Sequence, residues 1–299
     1  MIRAFVSLAL ATVTVSTASQ QAPTFRARTD HVSVSVSVKN RNVAVAGLAV
    51  DDFRLFDNGV PQTIERVSIE GVPIDLTLFI DTSPSFVGHL NDLKADIREV
   101  VALLRPDDRI RLIAFAHEIE EVAPWTGAGR ALNLDGLRVA RISSVYDGLA
   151  ASLLHQPEPG RRHLIVAITD GVDYNSAVSS ERVLDISARV EGVLHLVLMR
   201  SSVSMLPNAP DPAIMRGPDG RGEQRLGDAA ERTGGRKQEP IFGFNMVKAF
   251  RQVFDDFRTS YVLRYTPTGV KPDGWHELKV EVPSQPRATI RARRGYIGG

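Results

Sequence analysis

The chain has 299 residues, 43% of them hydrophobic, with 36 lysines and arginines against 35 aspartates and glutamates. That length allows a full core with a smaller unit beside it, and the near-even charge, with no long stretch of one sign, argues against a nucleic-acid or anionic-membrane surface. The sequence has no cysteine, which excludes a disulfide framework, a thiolate metal site and a lipidated cysteine.

Met1-Ile2-Arg3 is a short basic start, Ala4 to Val15 is apolar, and Ser16 to Ser19 supplies small residues for cleavage. Residues 1–19 therefore read as a signal peptide, and the mature protein as periplasmic or extracellular. The apolar stretch is shorter than the ~20 residues of a spanning helix, so no membrane span is expected after signal removal. Val32, Val34, Val36 and Val38 then alternate with serines at the period of a half-buried strand. Asp57-Asn58-Gly59, between two apolar stretches, suits a tight hairpin turn. Residues 20–70 read as a small antiparallel unit.

Short continuous apolar runs alternating with helical periodicity follow from Ile74, the pattern of a parallel sheet covered on both faces. Strands are expected at Leu76 to Ile80, Ile110 to Phe115, Leu164 to Ile168 and Val193 to Met199. Helices are expected from Leu90 to Leu104, Val145 to Leu154 and Ser180 to Val190, and residues 201–224 read as a long surface loop. Helical character at 225–233 and 245–258 closes an α/β domain spanning 71–258. Tyr261 to Tyr265, Glu277 to Val282 and Thr289 to Arg293 read as strands too few to bury a core alone. The expected fold class is thus a doubly wound, mainly parallel α/β sheet, Rossmann-like, with a β-rich satellite built from 20–70 and 259–299.

Asp81-Thr82-Ser83-Pro84-Ser85 follows the first parallel strand directly, where open sheets bind ligands. Thr169-Asp170-Gly171-Val172-Asp173 follows the third and reaches the same edge, and the loop at Ser143-Ser144, opening the second helix, can come up to it. Two carboxylates and several hydroxyls are hard oxygen donors, suited to Mg²⁺ first and then to Mn²⁺ or Ca²⁺. A cation held largely by neutral oxygens keeps positive charge and seeks an acidic residue on a partner protein. The seven histidines show no metal-ligand spacing and read as solvated or satisfied; Trp125 and Trp275 read as packing residues. Arg291, Arg293 and Arg294 read as charges guarding an edge strand.

The Asp-x-Ser-x-Ser loop, the serine before a Tyr146-Asp147 helix start and the Thr-Asp-Gly loop resemble the von Willebrand factor A domain. The stretch through Asp51-Asp52-Phe53 and Phe56 to Gln62, with the ending Arg291 to Tyr296, is similar to an exported family of such proteins abundant in acidobacteria. The resemblance implies a metal-ion-dependent adhesion site formed by Asp81, Ser83, Ser85, Ser143 and Asp170, and a protein that binds without catalysis. Ser143 departs from the family's usual threonine but keeps the hydroxyl. Two other functions compete. One is an envelope scaffold with a vestigial metal loop. The other is an Mg²⁺-dependent phosphoryl-transfer enzyme using Asp81, whose expected second aspartate is here Ser83. Single residues also admit a bland reading as helix caps, Ser144 with Asp147 among them.

Overall fold

The computed structural model describes residues 31–68, 72–83, 90–140, 143–155, 158–199, 220–239 and 246–299. The signal segment 1–19, Ser85 and most of the 201–224 loop lie outside them. In chain order the elements are β1 (Val32–Asn40), β2 (Val43–Ala44), β3 (Arg54–Asp57), β4 (Val60–Gln62), β5 (Arg66–Ser68), β6 (Ile74–Asp81), α1 (Leu90–Val101), β7 (Arg109–Phe115), β8 (Ile119–Gly127) and α2 (Val145–Leu153). They continue as β9 (Arg162–Thr169), α3 (Ser180–Ser187), β10 (Val193–Leu198), α4 (Gly222–Arg232), β11 (Lys237–Gln238), α5 (Met246–Arg258), β12 (Tyr261–Tyr265), β13 (Gly274–Glu281), β14 (Thr289–Ala292) and β15 (Gly295–Gly298).

Six strands form the central sheet in the order β11-β10-β9-β6-β7-β8, parallel throughout except for β8. Every residue of β6 is buried, as a central strand covered on both faces requires. On one face Leu76, Leu78 and Ile80 pack with Leu93 and Ile97 of α1 and with Phe250, Phe254 and Phe257 of α5. On the other, Phe79, Ile165 and Leu196 pack with Val145 and Leu149 of α2, Val183 of α3 and Leu226 of α4. The sheet-edge strand β8 escapes a sequence reading because Pro124 interrupts it and bulges shift its register against β7. Those same features, with Glu120 and Glu121, blunt an open edge. The expected loop also ends earlier than residue 224: α4 starts at Gly222 because Leu226, Ala229 and Ala230 bury one helical face.

Strands from before and after the α/β segment share two sheets, here called the satellite. β1 lies between β12 and β14 in one antiparallel sheet, and β13 joins β15 and β3 in another. Asn58 and Gly59 turn the β3–β4 hairpin at φ of 47° and 80°, the positive values such a turn demands. Val34, Val36, Leu55, Tyr261, Leu263 and Tyr265 form its core. Below them the fully buried Asp57 carboxylate accepts hydrogen bonds from Tyr265 Oη at 2.8 Å and Tyr296 Oη at 3.0 Å, and lies 2.8 Å from His276 Nδ1.

The satellite meets the α/β domain through polar groups. Half-buried Arg162 of β9 donates to Phe257 O at 2.9 Å, Ser260 Oγ at 2.7 Å and Ser35 Oγ at 3.1 Å, and stacks on the Phe257 ring. The buried Asp256 carboxylate of α5 pairs with Lys39 and gathers Arg236 and Arg291. This corrects the reading of the C-terminal arginines as edge guards. Arg291 donates to Gly234 O, Arg293 is buried and donates to Ala188 O and Gly295 O, and Arg294 pairs with Glu231, so all three fasten β14 and its flank to neighbouring backbone or helix. The histidine reading needs correction as well: His163, His195 and His276 are buried, each with one ring nitrogen that has no hydrogen-bond partner among the described residues.

Phe79 stacks on Phe115 with ring centroids 4.1 Å apart, and Gly148 of α2 lies against its edge, where a Cβ would stand 2.0 Å from Phe79 Cζ. Alanine normally stabilises a helix by ~1 kcal/mol over glycine. Here Gly148→Ala is expected to destabilise the fold by about 1–3 kcal/mol, read as a lowered urea midpoint with unchanged m-value. Truncation after residue 258 removes β12 and β14 from either side of β1. Limited proteolysis should then cut within residues 31–68 while 72–258 stays protected; equal protection with and without the tail would sink the shared-satellite architecture.

Candidate metal centre

Asp81 is the last residue of β6, its Cα paired with Phe115, and its side chain is fully buried. Both carboxylate oxygens are engaged by neutral donors. Oδ1 accepts from the Ser83 backbone N–H and from Ser143 Oγ, each at 2.8 Å, and Oδ2 accepts from Thr169 Oγ1 at 2.6 Å. Burial pushes the Asp81 carboxyl up from 3.8 to about 6, with the charge of Asp170 adding to it and the three hydrogen bonds opposing it. Two carboxylates thus face each other at a strand end, and among the described residues the groups that hydrogen-bond to Asp81 are all neutral.

Each loop is held in place by its own backbone. Thr82 N–H donates to Phe115 O at 3.0 Å, and Thr82 O accepts from Ala140 N–H at 2.8 Å, which brings the stretch before Ser143 to the metal loop. Ser144 N–H donates to Ala116 O, and Ser143 O accepts from Tyr174 N–H at 2.9 Å, so the second and third loops are tied across the site. Asp170 Oδ1 accepts from Val172 N–H at 2.9 Å in an Asx turn, and Gly171 takes φ +78°, a conformation that glycine adopts without strain.

Of the five expected ligands, Asp81, Ser83, Ser143 and Asp170 converge, and Ser85 lies outside the described residues. Thr169 belongs with them and was missed as a site residue. Its hydroxyl bridges Asp81 Oδ2 and the Gly171 N–H, and the available signal was a hydroxyl residue at the end of a buried strand directly before the aspartate. Asp173 has a different task. With Ser176 it receives the Tyr146 N–H, and Ser176 Oγ takes the Asp147 N–H as well, so the free donors at the start of α2 are capped from the Asp170 loop. Ser144, at the N-cap position, makes no side-chain cap bond. Asp147 in turn accepts from Ala177 and Val178 N–H, which closes the exchange.

Among the described residues no three of histidine, aspartate and glutamate come together as a metal cage. The donor set is two carboxylates supplemented by the hydroxyls of Ser143 and Thr169, with Ser83 held beside them by its backbone N–H, a hard-oxygen composition. It fits a small divalent cation, because a buried carboxylate beside another carries charge that only neutral hydrogen bonds offset.

No protein-family model matches the chain, and no curated protein does. Solved structures do match. A von Willebrand factor type A protein from Catenulispora acidiphila is similar over 89% of this chain and 73% of its own, at 10% identity and a TM-score of 0.46. The ArnB paralog VWA2 from Sulfolobus acidocaldarius is similar over 87% of this chain and 75% of its own, at 13% identity and a TM-score of 0.45. Proximal thread matrix protein 1 from the mussel byssus, with a zinc-occupied MIDAS motif, is similar over 69% of this chain and 50% of its own, at 15% identity and a TM-score of 0.44. The α/β assignment stands on strand order and register.

Proposed function

We propose that this chain is a protein-binding module whose contact is made through one divalent cation, with Mg²⁺ the first choice and Mn²⁺ or Ca²⁺ as alternatives. The observation that carries it is the fully buried Asp81 carboxylate, which among the described residues accepts from neutral donors and faces Asp170. Asp81, Ser83, Ser143 and Asp170 would hold the ion, with Ser85 joining from the same loop. The bound cation supplies positive charge at the sheet edge, and the complementary group is an acidic side chain of a partner protein. Catalysis by Asp81 is disfavoured, since a carboxylate with no exposed surface and both oxygens hydrogen-bonded is badly placed to attack a phosphoryl group. Zinc, the ion in the mussel protein's motif, belongs in the panel of metals to be tried.

Calorimetric titration with Mn²⁺ should show one saturable site in the wild type, lost in Asp81→Ala and in Asp170→Ala. Affinity equal to wild type in both variants would defeat the metal assignment and favour a scaffold with a vestigial loop.

Stability without metal gives an independent reading. The folded-state value of Asp81, raised from 3.8 to about 6, makes the folded protein bind the proton more tightly than the unfolded chain. In chelator the penalty for ionising Asp81 is absent below about pH 4, grows between 4 and 6 and is full above 6. Asp81→Asn is therefore expected to stabilise the metal-free protein at pH 7.5, on the order of 1–3 kcal/mol, and to lose that advantage at pH 4. A melting temperature in chelator lower than wild type at both pH values would contradict this.

Export is part of the same proposal and rests on the basic start, apolar stretch and small residues of 1–19. N-terminal sequencing of the protein recovered from cells should begin near residue 19 or 20; a cytosolic form that still begins at Met1 would refute it.

A further inference from the structure

The sheet edge that carries Asp81 and Asp170 also carries exposed apolar side chains. Ile119, Val139 and Tyr174 are 44%, 36% and 49% exposed, and each is tied to that edge by its neighbours. Ile119 pairs with Phe115, the residue opposite Asp81. Val139 precedes Ala140, whose N–H binds Thr82 O, and the Tyr174 N–H binds Ser143 O.

Between Thr82 and Val139 the surface sinks into a hollow of about 120 Å³. Small residues create it: Ala114 from β7 and Ala116 just after it, with Gly136 and Ala140 from the loop after β8. Ala114 and Ala116 are buried at its base, whereas Glu118, Glu120 and Arg138 around it are exposed. An apolar base within a charged rim is the anatomy of a pocket that takes one anchoring side chain of a partner. A cavity of ~150 Å³ lined by apolar groups holds a benzene molecule, so this one suits a branched aliphatic side chain.

Ala114 pairs with Ile80 in the ladder, so the hollow lies over β7, one strand from β6 and Asp81. Adjacent strands stand ~4.8 Å apart, and same-side residues of an extended chain recur every ~6.8 Å. We propose that the hollow receives an aliphatic side chain of the same partner segment whose acidic residue meets the cation, two positions away in an extended peptide. The acidic residue supplies charge complementary to the cation, and the aliphatic one supplies selectivity. This rests on the metal-dependent reading above, and the test separates the two.

The probes are blocked, fluorescein-labelled heptapeptides of glycine and serine with one central aspartate, carrying leucine two positions before or after it, and controls with glycine there. Anisotropy with the full chain in saturating Mn²⁺ should show the better leucine peptide binding at least ten-fold tighter than its glycine control, with no binding in EDTA. Val139→Trp, whose larger side chain covers the hollow, and Val139→Asn, which makes its wall polar, should abolish that preference while Mn²⁺ uptake and melting temperature stay near wild type. Equal affinity for leucine and glycine peptides, or a preference that survives both substitutions, overturns the proposal. Mn²⁺ uptake with no binding of any peptide in the set also overturns it and leaves the metal site standing. Absence of Mn²⁺ uptake removes the metal reading and this proposal with it.

Discussion

A carboxylate held without water at the end of a central strand is the constraint on which the rest of this site depends. Asp81 continues the line of buried residues in β6, so its charge cannot be hydrated, and protein groups must replace the lost solvent. They do so from three separate segments: the Ser83 backbone, the Ser143 hydroxyl and the Thr169 hydroxyl. None carries a charge, and Asp170 adds repulsion. The loops are thereby drawn to one point, while the charge itself remains to be offset. Burial and the neighbouring carboxylate both work against the ionised form of Asp81, so this strand end carries a local electrostatic cost.

The support around that point is redundant in a useful way. The Asp170 loop caps α2 through Asp173 and Ser176, and α2 returns the contact through Asp147 to Ala177 and Val178. Gly148, one residue further along α2, presses on Phe79, two residues before Asp81. Strand, helix and loop therefore fix one another within a few residues of the two carboxylates. A polar group in such a network is positioned by its supports and not by its own rotamer preference.

Much of this was legible in the sequence, for reasons that also explain what was not. The parallel strands announce themselves because a strand buried on both faces must be a continuous apolar run, as in Ile74 to Ile80 and Leu164 to Ile168. The Val32–Val38 alternation and the Asn58-Gly59 turn marked the antiparallel unit through side-chain period and backbone geometry. By contrast, β8 mixes Glu120, Glu121 and Pro124 into its first six residues, and the two-residue β11 has no period to detect. At the site, Asp81, Ser83, Ser143 and Asp170 stood at the ends or starts of elements that could be placed, so their convergence followed from topology. Thr169 was passed over because a hydroxyl inside a buried strand reads as filler until its partner is known. The arginines at 291, 293 and 294 misled because local sequence shows that a residue is charged, not which distant carbonyl or carboxylate receives it.

The satellite's topology sets a schedule for the growing chain. β1 is synthesised early, yet its partners β12 and β14 come after the whole α/β domain, and the Asp57–His276 contact that locks the same unit spans 219 positions. Until those last strands arrive, Val32 to Val38 waits as an alternating valine-serine segment without charge or proline, the composition that pairs readily with copies of itself. Contacts of such long range also form slowly, since the intervening loop must close before any of them is rewarded. The α/β domain can mature before β12 and β14 have been made, whereas the satellite is completed only once both have emerged. The interval between the two is the period in which a newly made molecule is most exposed to self-association.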